Sequence, residues 1–320
     1  MSARGLADTL LDRGTSPSVD VEPEHRAADS GERPTAALSD HAAIRAACED
    51  GVGLCTIVGI DGSFSRRTGA QLAIHPDGRT IGSLANGCLE RQLALDLLSA
   101  RRAGNAEVRR YGKGSATIDF RLPCGGGLDI LLDPSPPVNE CRRVVRALDG
   151  RATAHLDLGS AAAPGKGWIR ERKFIPSLRM VVFGEGPEID ALQTLAGVME
   201  IAGSFIRPHS PSHRIGLGGS PSEPPPDGFS AVVLLFHDHE WEAPLLDWSL
   251  AGSPFYIGAQ GGDGARQARR ERMQRGGGGQ ACGLSQPVGL IPHTRDPAVM
   301  ALSVLSQVVS EYEKIHPHAP

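Results

Sequence analysis

The sequence predicts an α/β protein: an α+β N-terminal domain followed by a Rossmann-like, doubly wound C-terminal domain. Three observations predict it. Short apolar runs bounded by glycine and proline turns crowd residues 53–132. From Leu178 onward strand-like runs alternate with helical periodicity, the pattern of parallel strands joined by helices. The run at 231–236 (AVVLLF) is almost wholly apolar, as central strands of a parallel sheet are.

Residues 1–37 are rich in Ala, Arg, Asp, Glu, Pro and Ser without sustained apolar periodicity, and read as a disordered tail. Ser39-Asp40 reads as a helix cap before residues 42–47. In the N-terminal domain, 38–134, strands are expected at 53–60, 71–75, 80–84, 108–111, 115–122 and 128–132. A helix is expected at 90–102, where Leu93, Leu97 and Leu98 keep helical spacing. Pro134 to Pro137 breaks the chain. In the connecting segment, 135–177, residues 141–148 read as helix, and 151–173 as either strands or an irregular linker. The C-terminal domain, 178–315, should hold strands at 178–183, 199–206, 231–236 and 254–257. Its helices are expected at 189–196, 243–250, 266–275 and 297–315, with a flexible glycine run at 276–279.

Bulk properties exclude several classes. The formal net charge of -4 leaves no basic footprint for nucleic acid. No apolar run reaches the roughly 18 residues of a membrane helix, and no signal-peptide core opens the chain. The 6 cysteines lack disulfide-framework spacing, which points to a reducing cytoplasm.

The chemistry concentrates at 62–90, GSFSRRTGAQLAIHPDGRTIGSLANGCLE. Ser63, Arg66, Arg67 and Gly69 form one polar turn; paired arginines offer rigid forks that match phosphate oxygens. Gly87, Cys88 and Glu90 form a second turn at a helix start, where a cysteine is biased toward thiolate. Cys124 follows in a third turn with Gly125 and Gly126. Such a set suits a ligand with phosphate at one end and a soft metal or sulfur centre at the other. Two adjacent arginines are more often a solvated turn, a free cysteine is more often a small buried hydrophobe, and Glu90 also suits the helix dipole. Cys48, Cys55, Cys141 and Cys282 take the buried reading.

In the C-terminal domain Gly184-Glu185-Gly186 follows a strand, as in an incomplete dinucleotide fingerprint. Ile189 takes the third, usually small, position, and Arg207 stands where a ribose-binding carboxylate would. His237-Asp238-His239 lies just past the apolar strand, where two histidines of a continuing strand would share a face. These features keep two other readings open: an NAD(P)-dependent oxidoreductase, and a metal-dependent hydrolase using His237 and His239. The basic stretch 266–275 reads as a solvated face or as a surface for an acidic partner.

Taken together, GSFSRRTGAQ (62–71), DGRTIGSLANGCLE (77–90) and LPCGGGLDILLDP (122–134) resemble the xanthine dehydrogenase accessory proteins of the XdhC/CoxI type. Looser matches follow at VVFGEG (181–186), HDHEWEAPLL (237–246), YIGAQGG (256–262) and QPVGLIPHTRDPAVMALSVLS (286–306). The chain departs from that family's pattern at Ser65, Asn86, Ile189, Arg207-Pro208-His209 and Pro292-His293, as a divergent member would. The resemblance implies a chaperone that is more a carrier than an enzyme. It would hold molybdenum cofactor, in molybdopterin or nucleotide form, and deliver it to a molybdenum hydroxylase of the xanthine dehydrogenase type. It implies a cysteine desulfurase as a further partner, a homo-oligomer, and cofactor held between the two domains. Ser63, Arg66, Arg67 and Gly69 would grip phosphate. Gly87, Cys88, Glu90, Cys124, Gly125 and Gly126 would face the pterin or metal, with Cys124 or Cys88 meeting molybdenum. Gly184, Gly186, His237 and His239 would add cofactor contacts from the second domain.

Overall fold

β1 (Gly53–Asp61) is apolar along nearly its whole length because both of its faces are covered. Successive side chains of a strand point to opposite faces. Cys55 and Ile57 therefore enter one core, and Leu54 and Val58 the other. β1 is the middle of an antiparallel sheet with β2 (Gln71–Ile74), β3 (Thr80–Gly82), β4 (Glu107–Gly112) and β5 (Gly127–Asp133), in the order β3-β2-β1-β5-β4. The computed structural model describes residues 41–85, 87–115, 125–159, 161, 167–208, 215–237, 239–275 and 284–317. The expected tail, the Ser39-Asp40 cap, most of the expected 115–122 strand, Cys124 and the 276–279 glycine run lie outside them.

One face of this sheet is closed by α2 (Cys88–Ala103), whose Leu89, Leu93, Leu97 and Ala100 repeat at helical spacing and are all buried. Truncating a fully buried leucine such as Leu93 to alanine costs about 2–5 kcal/mol. The other face is closed by α1 (Ala42–Ala46), α3 (Val138–Asp149) and a hairpin of β6 (Ala154–Asp157) and β7 (Glu171–Phe174). The ambiguous stretch 151–173 thus contains two strands. Its polar look has a cause: only alternate residues of β7 face inward, and one of them is Arg172. That buried guanidinium lies 4.2 Å from the Phe174 ring centroid and donates to Gln71 Oε1. Gln71 Nε2 in turn donates to Thr56 Oγ1 at 3.0 Å, so the buried polar groups satisfy one another.

The second sheet is parallel. Its strands are β8 (Arg179–Gly184), β9 (Ala202–Ile206), β10 (Ser230–Leu235), β11 (Tyr256–Ala259) and β12 (Leu284–Ser285), in the order β12-β11-β10-β8-β9. α4 (Pro187–Val198) and α7 (Pro297–Ile315) pack on one face, α5 (Glu242–Ala251) on the other. Numbered from β8, the order is the 2-1-3-4-5 of a doubly wound fold. The two-residue β12 is too short for any periodicity to reveal it. α6 (Asp263–Arg275) is helical, but it is no uniform basic face. Arg269 is buried in a forked pair with Glu242, both nitrogens at 2.6 Å, and Arg272 pairs with Asp247. The carboxylates of α5 thus take up two of the arginines of α6.

The two sheets meet at a forked ion pair. Arg151, just past α3, donates from Nε to Asp227 Oδ2 at 2.8 Å and from Nη2 to Asp227 Oδ1 at 3.1 Å. The same guanidinium reaches the carbonyls of Ser177 (2.6 Å) and Phe229 (3.0 Å), which precede β8 and β10. Burial pushes the Asp227 carboxyl up, but the Arg151 and Ser230 side chains and the Phe229 N–H bring it down to about 2. A depressed carboxyl stabilises the fold above its unfolded value near 3.9 and loses that contribution as pH falls toward 2. Urea unfolding should show wild type losing roughly 1–2 kcal/mol more than Asp227→Asn between pH 5 and pH 2. Equal losses would mean that the pair does not hold the junction.

Candidate functional site

Antiparallel pairing gathers three of the predicted turns on one edge of the first sheet. β1 ends there at Asp61, β2 begins at Gln71, β3 ends at Gly82, β4 ends at Gly112 and β5 begins at Gly127. The loop after β1 and the turn before β5 touch: a Cβ on Gly62 would stand 3.5 Å from the Gly126 Cα. The loop after β1 and the turn after β3 are tied by Arg66, whose Nε donates to the Ser83 carbonyl at 3.1 Å. Ser63, Arg66, Arg67, Gly87, Cys88, Gly125 and Gly126 therefore share this edge. Ser63, Arg66, Arg67, Cys88 and Gly125 are exposed on it. Gly69 is different: it is buried, and its N–H donates to Ile57 O at 2.7 Å. It shapes the loop and offers no N–H to a phosphate.

The second turn is organised by Glu90. Its Oε1 accepts the N–H groups of Leu84 (3.0 Å) and Ala85 (2.6 Å), and its Oε2 accepts that of Gly87 (2.7 Å). Burial pushes the carboxyl up, but the N–H groups of Ala85, Glu90 itself, Gly87 and Leu84 pull it further down, below the usual range. This carboxylate is occupied by its own turn, with three backbone N–H groups as its partners. Gly87 caps α2 with φ 88°, a backbone that favours glycine. Cys88 is exposed, and Arg91 Nη2 donates to its sulfur at 3.2 Å. Burial pushes the Cys55 thiol well up and the Cys141 thiol up to about 11. Beside this turn an open groove of about 640 Å3 runs between β3 and α2, lined by Thr80, Gly82, Gly87, Glu90, Arg91 and Leu95 among others.

Arg110 was not singled out in the sequence, yet it braces this edge from beneath. It donates to Asp61 Oδ2 (3.0 Å), Asp129 Oδ2 (2.9 Å) and the Lys113 carbonyl (2.8 Å), joining the ends of β1, β5 and β4. A Cβ on Gly127 would meet the Lys113 carbonyl oxygen at 2.6 Å as well as the Arg110 guanidinium, so only glycine fits there. The one available signal was the pair of arginines in an otherwise strand-like run, next to glycine on the paired strand.

The remaining predicted residues sit elsewhere. Gly184 and Gly186 end β8, and His237 follows β10, so they flank the point where strand order reverses, the crevice where doubly wound sheets bind ligands. A Cβ on Gly184 would stand 2.4 Å from Leu235 O, which requires glycine there. The helix terminus is poorly suited to pyrophosphate. Pro187 removes one N–H, and Glu188 Oε2 is buried without a hydrogen-bond partner about this turn. Arg207 is held by Asp190 and, at 2.9 Å, by Gln193 Oε1. The shared face expected of the two histidines does not form, because β10 ends at Leu235 and His239 opens a 3-10 turn, His239–Trp241. Among the described residues no group of three or more His, Cys, Asp or Glu is placed to hold a metal ion. No described helix is long and apolar enough to cross a membrane.

The junction contacts of Arg151 fall on Ser177, Asp227 and Phe229, ahead of β8 and β10, where Tyr312 and His316 of the α7 end also bond to Pro176 and Gly228. Arg67 lies toward this junction, close enough for its charge to act on Tyr312. The glycine turn and His237 lie at the opposite edge of the parallel sheet, about 20 Å away along six residues of strand.

The XdhC and CoxI family model matches residues 46–112, and the XdhC Rossmann domain model matches residues 180–308. The molybdenum cofactor insertion chaperone PaoD of Escherichia coli (strain K12) is 30% identical over 273 residues, covering 81% of this chain and 83% of PaoD. The chain belongs to the XdhC and CoxI family. A crystal structure titled as a xanthine dehydrogenase from Bacillus halodurans superposes with TM-score 0.64, 18% identity, and coverage of 88% of this chain and 98% of that one. At that identity it speaks for the fold alone.

Glu90→Ala leaves three backbone N–H groups without their acceptor and should destabilise the protein by about 3 kcal/mol in urea unfolding. Glu90→Gln keeps the shape and should lose less; equal losses would mean the charge is irrelevant. Native-state alkylation followed by peptide mapping should label Cys88 first, with Cys55 and Cys141 at least about a hundredfold slower. Comparable rates at the three would contradict their burial.

Proposed function

We propose that this protein is a molybdenum cofactor-binding maturation chaperone, with the edge of the antiparallel sheet as its cargo site. The observation that carries the reading is the joining of Arg66, Arg67 and Cys88 on one edge by the Arg66–Ser83 bond, in a chain of this family. Support also comes from the name of the relative PaoD. Arg66 and Arg67 would take the phosphate-bearing end of the cofactor as forked donors. Cys88, with Arg91 on its sulfur, would stand at the metal-dithiolene end, where a soft donor is suitable. The glycines at 87, 125 and 126 permit close approach of backbone to ligand. The acidic side chains nearby do not oppose an anion: Glu90 is taken up by its turn, and Asp61 and Asp129 face Arg110. No chemical step is assigned to the chain itself. It would bind, shield and release the cofactor to a molybdenum hydroxylase of the xanthine dehydrogenase type, with terminal sulfur added by a separate desulfurase.

The test is pterin and molybdenum analysis of protein purified from cells that synthesise the cofactor. Wild type should retain pterin. Arg66→Ala with Arg67→Ala should lower retention at least about tenfold while lowering the melting temperature by no more than about 5 °C, the loss of one exposed hydrogen-bonded tie. Cys88→Ala should lower the molybdenum-to-pterin ratio more than the pterin itself. A wild-type protein without pterin, together with normal client maturation in a deletion strain, sinks the proposal.

A further inference from the structure

The first sheet has an open edge, and its open backbone groups face the groove beside α2. The hairpin of β2 and β3 pairs Ile74 with Thr80, Ala73 with Ile81 and Leu72 with Gly82. His75 N–H donates to Arg79 O at 2.9 Å, so the 75/79 pair is hydrogen-bonded. In an antiparallel ladder bonded and non-bonded pairs alternate. Ile81 therefore bonds inward to Ala73, while the N–H and C=O of Thr80 and Gly82 turn outward. The β1 side agrees. Ile57 N–H donates to Ala70 O, which by the same alternation directs Leu72 and Ile74 to β1 and away from β3. Among the described residues β3 is the terminal strand, and nothing pairs with its outer side.

Gly78, Thr80 and Gly82, the alternate residues of this edge, line the groove of about 640 Å3. Its far wall is α2, through Ala94 and Leu95. Leu95 is 63% exposed and Leu98, one turn on, 41%. At one end stands Arg91, with Arg66 bonded to the carbonyl of the lining residue Ser83, and the carboxylate on the wall, Glu90, is satisfied by backbone N–H groups. An open ladder, an apolar wall and a cationic end together define a receptor for an extended strand. They also form an edge of the kind that soluble proteins otherwise cover or charge.

We propose that β3 accepts an extended segment of a partner polypeptide as a sixth strand. An apolar side chain of the segment rests on Ala94 and Leu95, and a carboxylate meets Arg91. The inference uses no property of the cofactor and does not depend on the proposed cargo. It assigns a second recognition surface to the same domain, alongside the edge that carries Arg66, Arg67 and Cys88.

The test pans a phage-displayed random dodecapeptide library against the full-length protein and measures the synthesised winners by calorimetry. The expected result is a consensus with apolar residues at alternate positions and an acidic residue at one end. The bound peptide should slow amide exchange at Thr80 and Gly82. Thr80→Pro is the decisive variant. It removes an outward N–H and no β2–β3 bond, so it should keep the fold and weaken the peptide at least about tenfold. Leu95→Lys should weaken it similarly, and Arg91→Ala should remove the acidic preference. If Thr80→Pro does not fold, exchange protection in the wild type and the Leu95→Lys loss still decide. No consensus, equal binding to Thr80→Pro and wild type, or exchange at Thr80 and Gly82 already slow in the unbound chain would overturn the proposal. So would a wild-type dimer that Thr80→Pro converts to monomer, since the edge would then belong to a second copy. Pterin retention by Thr80→Pro should match wild type, which separates this result from the cargo test.

Discussion

The Glu90 carboxylate makes the interaction on which the antiparallel half of the molecule rests. One carboxylate collects the N–H groups of Leu84, Ala85 and Gly87, and so turns the chain from the edge strand into α2 within a few residues. Without it the turn would carry three unsatisfied donors beside a buried helix start. With it, the Ser83 carbonyl is presented to Arg66, Cys88 emerges into solvent at the first helical position, and Leu89, Leu93 and Leu97 fall onto the sheet. Packing and site are therefore one device: the register of α2 that buries its leucines also fixes where the sulfur and Arg91 stand.

The other constraint is topological. An antiparallel sheet returns its connections to the same edge, which is how turns distant in sequence come together around Gly62, Ser83 and Gly126. A parallel sheet sends every strand the same way, which is why Gly184, Gly186 and His237 meet at one crevice. The Arg151–Asp227 pair attaches the first arrangement to the starting edge of the second.

Most of the fold was legible because its signals are local. The apolar runs of β1, β8 and β10 are buried on both faces and need no partner to be recognised. The family motifs likewise carried the cluster of Arg66, Cys88 and their glycines. What escaped notice depended on contacts across the sequence. β7 looked polar because its inward Arg172 finds its acceptor in Gln71, 101 residues away. α6 looked like a charged surface because Glu242, 27 residues back, is not visible as its partner. Gly69 resembled a phosphate-loop glycine, and only the pairing with β1 shows its N–H occupied by Ile57. Arg110 had no motif at all; its importance lies in three acceptors on three different strand ends.

The separation of the two edges by the length of a parallel strand has a consequence for how such a molecule can be regulated. Arg151 sits at the entrances of β8 and β10, and the glycine turn and His237 sit at their exits, so a push on either end of these strands is carried along their length. A displacement at one end is then felt at the other, and thermodynamic reciprocity makes any coupling between ligands bound at the two ends equal in both directions.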